Sequence, residues 1–179
     1  MPIAAEVVVD TNVLYVAEGM HDEASPACIL SCVKRLQLIK KHSTVVVDDR
    51  FRVLKEYQHK LDPKRGKGPG AAFLKWLMQN VANVEHVTQV SLTELAKDKY
   101  AEFPVAVLEA TFDAADRKFP AVANAHPAKP PILQATDCKW LMWKSQLAAA
   151  GITVEFLCPD DICRFFKATF PERDVPALP

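Results

Sequence analysis

The stretch Glu6-Val7-Val8-Val9-Asp10-Thr11-Asn12-Val13-Leu14 (EVVVDTNVL) decides how the chain is read. Three β-branched apolar residues in a row do not alternate with polar ones, the mark of a strand covered on both faces. Such a strand belongs inside a parallel sheet with helices on either side. It runs without a break into Asp10. A charge at the end of a buried strand is costly unless it caps a helix, finds a partner or serves a cation.

The rest of the sequence repeats the pattern. Thr44–Val47 (TVVV) is a second apolar strand, and it too ends in acids, Asp48-Asp49. Ile132–Ala135 and Ile152–Leu157 read as later strands. Between them, apolar residues recur every three or four positions and predict helices over Glu23–Lys41, Arg50–Leu61, Ala71–Val81 and Asp116–Ala125. Ser91-Leu92-Thr93-Glu94 fits a capping box and predicts a short helix, and Phe103–Phe112 is expected to continue the helical layer. In Cys138–Ala150, Trp140, Trp143 and Leu147 share a face and Gly151 supplies the stop; Pro159–Lys167 is a last helix. Strands and helices in this alternation predict an α/β, single-domain three-layer sandwich with a central parallel sheet flanked by helices. The domain is expected to span residues 1–165, followed by a Pro-rich tail over 166–179.

Composition narrows the function. Lys plus Arg and Asp plus Glu are equal, at 22 each, so no global basic field exists for tight, non-specific binding to duplex DNA. A local basic loop, Lys60–Gly68, is a candidate nucleic-acid contact or a solvated turn. No window of 18 uninterrupted apolar residues exists, and residues 1–6 lack a basic n-region, so neither a membrane span nor a secretory signal is expected. The five cysteines form no CxxC pair. Free thiols in a reducing cytoplasm are the expectation, with a loosely spaced zinc site of Cys28, Cys32, Cys158 and Cys163 as the alternative.

Chemistry concentrates in the acids. Functional groups in an open parallel sheet gather at the carboxyl ends of its strands, where Asp10 and Asp137 stand. Neighbouring strands lie only about 5 Å apart, so acids at adjacent strand ends would share a cavity. Asp116 begins a predicted helix and Glu56 lies within another. Four carboxylates in one cleft must take up protons or be neutralised by a cation. Oxygen-only ligands suit Mg²⁺ or Mn²⁺, ions that polarise phosphate oxygens and activate water.

Four segments in this order resemble the PIN domain family of metal-dependent nucleases: EVVVDTNVL with Asp10, VLKEYQHKL with Glu56, FDAADRKFPAVANAH with Asp116, and ILQATDCKWLMWKSQLAAAGITVEFLCPDDI with Asp137. The resemblance runs from residue 6 to about residue 162. It implies a ribonuclease in which these four acids hold Mg²⁺ or Mn²⁺, with hydrolysis leaving a 3′-hydroxyl and a 5′-phosphate on single-stranded or structured RNA. It also implies a homo-oligomer and, as in VapC-type toxins, an antitoxin or other protein partner in a toxin-antitoxin or defence system, acting in the cytoplasm and not at a membrane. One departure stands out: Asp137-Cys138-Lys139-Trp140 carries Lys139 where relatives of this type often carry a further acid.

Each candidate also has a plainer reading. Asp10 and Asp137 are good N-caps. Asn12 is expected to order its loop and support Asp10. Glu56 could be a solvated helix residue, although Val53 and Tyr57 place it at the flank of an apolar face. Asp113 competes with Asp116 for one role. Asp48 and Asp49 read as a cap and turn, although Asp48 could line the cavity. Arg117, Lys118 and Lys139 adjoin predicted ligands and could meet a phosphate backbone or form structural ion pairs. The alternative function is a catalytically degenerate module that binds RNA or a protein partner. A phosphotransfer domain of the haloacid dehalogenase type is excluded, because it wants an acid where Asn12 stands.

Overall fold

Strands and helices alternate through the computed structural model, which describes residues 4–61 and 66–178. Asp62, Pro63, Lys64 and Arg65, at the centre of the basic loop, lie outside the described residues. The first half comprises β1 (Glu6–Val9), α1 (Thr11–Ala17), α2 (Pro26–His42), β2 (Thr44–Asp48), α3 (Arg52–Lys60), α4 (Pro69–Gln79) and β3 (Val87–Val90). A small hairpin of β4 (Glu94–Ala96) and β5 (Lys99–Tyr100) follows. The chain then forms α5 (Lys118–Ala125), β6 (Ile132–Gln134), α6 (Trp140–Ala149), β7 (Val154–Phe156) and α7 (Pro159–Thr169).

The main sheet is five-stranded in the order β3-β2-β1-β6-β7, with every pair parallel. Val7 and Val9 point to one face and Val8 to the other, yet all three are wholly buried, as are Val45, Val46 and Val47. Both faces are therefore covered, and the molecule is the α/β three-layer sandwich that the apolar strands predict. Helices α1, α2 and α4 pack on one another, and α5 lies across β1, β2 and β6. Among the described residues no helix is long and apolar enough to cross a membrane.

Several expectations change. The helix α1 follows Asp10 directly, and β3 is a strand the periodicity did not single out; as a short edge strand with a half-exposed Thr88 and an exposed Gln89, it has no apolar run. The capping box at Ser91–Glu94 makes no helix. The Ser91 hydroxyl donates to Asp49 (2.5 Å), the Thr93 amide donates to Glu102 (2.9 Å), and Glu94 accepts from Arg52 (2.7 Å), so the box's groups serve tertiary partners and the chain extends into β4. Phe103–Phe112 contains only a single 3-10 turn, Ala106–Leu108. The tail assigned from residue 166 is not an appendage. Helix α7 runs through that boundary, and Val175 and Leu178 pack against the cluster of Leu141, Ile162 and Phe166.

The cysteine expectation is corrected as well. The start of α2 abuts the junction of β7 and α7, and Cys28 and Cys158 form a disulfide across a Cα separation of 5.0 Å. Cys32 lies beside it, its sulfur 3.8 Å from that of Cys158. Cys163 stands outside this group, so the four-cysteine zinc site is not assembled.

Close approach of α1 and α4 requires a glycine. A Cβ at Gly70 would fall 2.2 Å from the Leu14 carbonyl oxygen. Glu18 reinforces the contact by accepting the Gly68 and Ala71 amides at 2.9 and 2.7 Å, capping α4. Gly70→Ala is expected to destabilise the fold by about 1–3 kcal/mol or more through overpacking. Urea titration checks this; an unchanged midpoint would show that the two helices separate freely.

Candidate functional site

The connectivity places a crevice beside β1. The chain leaves β1 towards β2 and β3 on one side, then returns to build β6 and β7 on the other. Loops after β1 and β6 therefore diverge, and the space beyond their carboxyl ends is where open α/β sheets bind ligands. A cavity of about 440 Å³ lies here, lined by Asp10, Thr11, Asn12, Tyr15, His21, Glu56, Lys60, Asp116 and Asp137.

Asp10 ends β1 and is the N-cap of α1. Its Oδ1 accepts the Asn12 amide at 2.8 Å, and the residue is only 4 % exposed. Capping and cavity lining are thus compatible, since one carboxylate oxygen serves the helix. Asn12 carries its supporting role across the crevice: its Oδ1 accepts both the backbone amide (2.7 Å) and the hydroxyl (2.8 Å) of Thr136, joining the loops after β1 and β6. Asp137 follows Thr136 and accepts the Lys139 amide at 3.1 Å, while Gln134 accepts the Ala135 amide at 2.7 Å and shapes the turn. Glu56 is brought in by α3, whose Tyr57 hydroxyl donates to the Val9 carbonyl just before Asp10. Thr11 donates to Glu56 at 2.5 Å.

The predicted four acids thus share one cavity, and the competition between Asp113 and Asp116 resolves into cooperation. Carboxylate oxygens of Asp113, Asp116 and Asp137 all lie within 4.8 Å of one another. Asp10 and Glu56 are not in that tight triad, but both act on it through charge. Burial, and then the Asp137 and Glu56 charges, push the Asp116 carboxyl up to about 7. Burial and Asp116 push Asp10 well above the usual carboxylate range, against the pull of the Asn12 amide. Asp137 is raised by burial, offset in part by the Lys139 amide and charge.

The three basic candidates are engaged internally. Arg117 turns away from the cavity, its guanidinium donating to the carbonyls of Asp98, Glu109 and Phe112; it holds the segment before α5 in place and is not a phosphate contact. Lys118 is 6 % exposed and pairs with Glu56 and with the Ala115 carbonyl. Lys139 pairs with Asp113 at 2.6 Å. Two acids thus carry lysine partners, leaving Asp10, Asp116 and Asp137 without an ion pair among the described residues. An oxygen-only donor set of this kind suits a hard divalent cation.

Asp48 does not line the cavity. It is fully buried and accepts the Arg52 and Val53 amides, both at 2.9 Å, as the cap and turn reading expects. Trp140 and Trp143 are core residues packed on Phe112. Thr11, Tyr15 and His21 line the cavity without having been singled out for it, whereas Lys60 opens the basic loop and Asp113 is the competitor of Asp116 in the acidic FDAAD run.

The raised carboxyls predict a pH dependence. A group whose folded pKa is about 7 against an ordinary 3.8 keeps its proton in the folded protein where the unfolded chain has lost it. Folded protein then binds the extra proton, so stability falls as pH rises through this window and levels off above it. In chelator, the melting temperature should decline between pH 5 and pH 8, and Asp116→Asn should flatten the decline and be the more stable protein at pH 8. Differential scanning fluorimetry across this range checks the sign.

Comparison of the chain with protein-family models, with curated proteins and with solved structures finds no match.

Proposed function

We propose that the protein is a divalent-metal-dependent endoribonuclease of the PIN type, with Mg²⁺ or Mn²⁺ held by Asp10, Asp116 and Asp137 and with Glu56 beside them. The observation that carries this reading is the convergence, at the switch point of a parallel sheet, of buried and half-buried carboxylates from four separate segments. Asp10, Glu56, Asp116 and Asp137 line one open cavity, and three of them are pushed towards protonation when no cation is present. The metal would supply Lewis acidity towards a phosphate oxygen and an activated water.

The chain's own residues have defined tasks in this reading. Asp10, Asp116 and Asp137 supply oxygen ligands from the ends of β1 and β6 and from the turn before α5. Asn12 fixes the spacing of the two strand-end loops through Thr136. Thr11 and Lys118 orient the Glu56 carboxylate from either side. A single strand of RNA is the substrate in this reading, because its backbone can reach recessed carboxylates more easily than that of a rigid duplex. An antitoxin or other protein partner, self-association and a cytoplasmic setting accompany the proposal through the family resemblance alone.

One observation favours a second reading. Lys118 and Lys139 place ammonium groups on Glu56 and Asp113, positions where an active site could use free carboxylates. A degenerate module that binds RNA or a protein partner without cutting is the outcome if those lysines replace the cation's role. Incubation of purified protein with single-stranded RNA and Mn²⁺ separates the two. The nuclease reading expects cleavage, abolished by chelator and reduced about a hundredfold or more in Asp10→Asn and in Asp116→Asn. RNA binding with no cleavage in any divalent ion would favour the module, and equal cleavage by both variants would overturn the metal assignment.

A further inference from the structure

The cations expected to receive the substrate are occupied: Arg117 faces backbone carbonyls, and Lys118 and Lys139 each hold a carboxylate. The acidic side of the cavity therefore offers little to a polyanion apart from what a cation brings. The same cavity is also lined by Tyr15 from α1, His21 from the loop between α1 and α2, and Lys60 from the end of α3.

We propose that Tyr15 and His21 form an aromatic wall on which the bases of a single-stranded RNA stack while its backbone passes the acidic cleft. The nature of the strand rests on the ribonuclease reading; the wall itself rests on how His21 is held. Its ring packs against Phe165 of α7 with centroids 5.2 Å apart. Its Nδ1 is buried with no hydrogen-bond partner among the described residues. The loop is tied to α7 three ways: the Ser25 amide donates to Asp161 (2.7 Å), Arg164 donates to the Glu23 carbonyl (2.6 Å), and Cys28 is bonded to Cys158 at the α7 N-terminus.

A loop residue clamped in this way loses little freedom when a ligand arrives. Planar side chains that need no charge accept any base, which suits a site whose neighbours are anionic. Lys60, one turn beyond Glu56 on α3, adds a cation to the same cavity lining. The arrangement combines a stacking surface and a basic edge, the two elements of sequence-tolerant single-strand binding.

The test is fluorescence anisotropy with a fluorescein-labelled oligouridylate in Ca²⁺, paired with cleavage kinetics in Mn²⁺. His21→Asn keeps the size and polarity but removes the aromatic face; His21→Phe keeps the face. The wall predicts that His21→Asn weakens oligouridylate binding about tenfold, that His21→Phe restores it, and that the loss appears in KM more than in kcat. Circular dichroism and melting temperature confirm that each variant is folded. Cleavage by the parent protein with unaltered binding in His21→Asn would overturn the wall and leave the nuclease reading intact. Equal weakening in both variants would also overturn stacking. Absent cleavage with the Asn and Phe variants still separated in binding would retain the wall and remove the nuclease.

Discussion

Repulsion among carboxylates that the fold gathers at one end of its sheet is the constraint around which this molecule is built. Asp10, Glu56, the Asp113–Asp116 turn and Asp137 come from four separate parts of the chain, and burial makes the charges of Asp10, Asp116 and Asp137 harder to keep. The protein answers part of the repulsion itself. Lys118 neutralises Glu56, Lys139 neutralises Asp113, and the amides of Asn12 and Lys139 accommodate one oxygen each of Asp10 and Asp137. Three acids remain, Asp10, Asp116 and Asp137, whose carboxyls are pushed towards protonation. Clusters of this sort reduce stability, so their geometry speaks for a role beyond holding the fold together.

The surrounding structure maintains the cluster against that repulsion. Wholly buried valines anchor β1 and β2, Tyr57 ties α3 to the end of β1, and Asn12 ties the loop after β1 to the loop after β6. Arg117, bonded to three carbonyls, fixes the turn that delivers Asp113 and Asp116. Two polar ties fasten the His21 loop to α7, and the disulfide fastens the start of α2, which follows that loop, to the same helix's N-terminus. Both walls of the cavity are thus attached to regular structure.

What was legible in the sequence follows from which forces are local. VVV at Val7–Val9 and at Val45–Val47 announced the central strands because burial on both faces leaves a continuous apolar run. Asp10, Asp116 and Asp137 were legible because strand ends and helix starts are local features and the sheet's topology brings strand ends together; Glu56, inside α3, was legible only through the resemblance of VLKEYQHKL. For Arg117 a phosphate contact and a structural pairing both stayed open, because its partners, the carbonyls of Asp98, Glu109 and Phe112, leave no mark in sequence. The Ser91–Glu94 box failed for a similar reason: its groups meet Asp49, Glu102 and Arg52, and tertiary contacts overrode a local preference. Strand β3 lacked an apolar run as an edge element, and the pairing of Cys28 with Cys158, 130 positions apart, depends on how α2 docks against α7. His21 and Tyr15 gave no signal because a half-buried aromatic at a cavity rim looks like any other.

The central claim is that this cleft exchanges protons for a divalent ion. Isothermal titration of Mn²⁺ into the metal-free protein, in two buffers of differing ionisation enthalpy, measures that exchange directly. The account predicts saturable binding at pH 6 with release of protons, a smaller release at pH 8 where Asp116 is already largely ionised, and loss of the proton-linked difference in Asp116→Asn. Absence of Mn²⁺ binding at both pH values would contradict it.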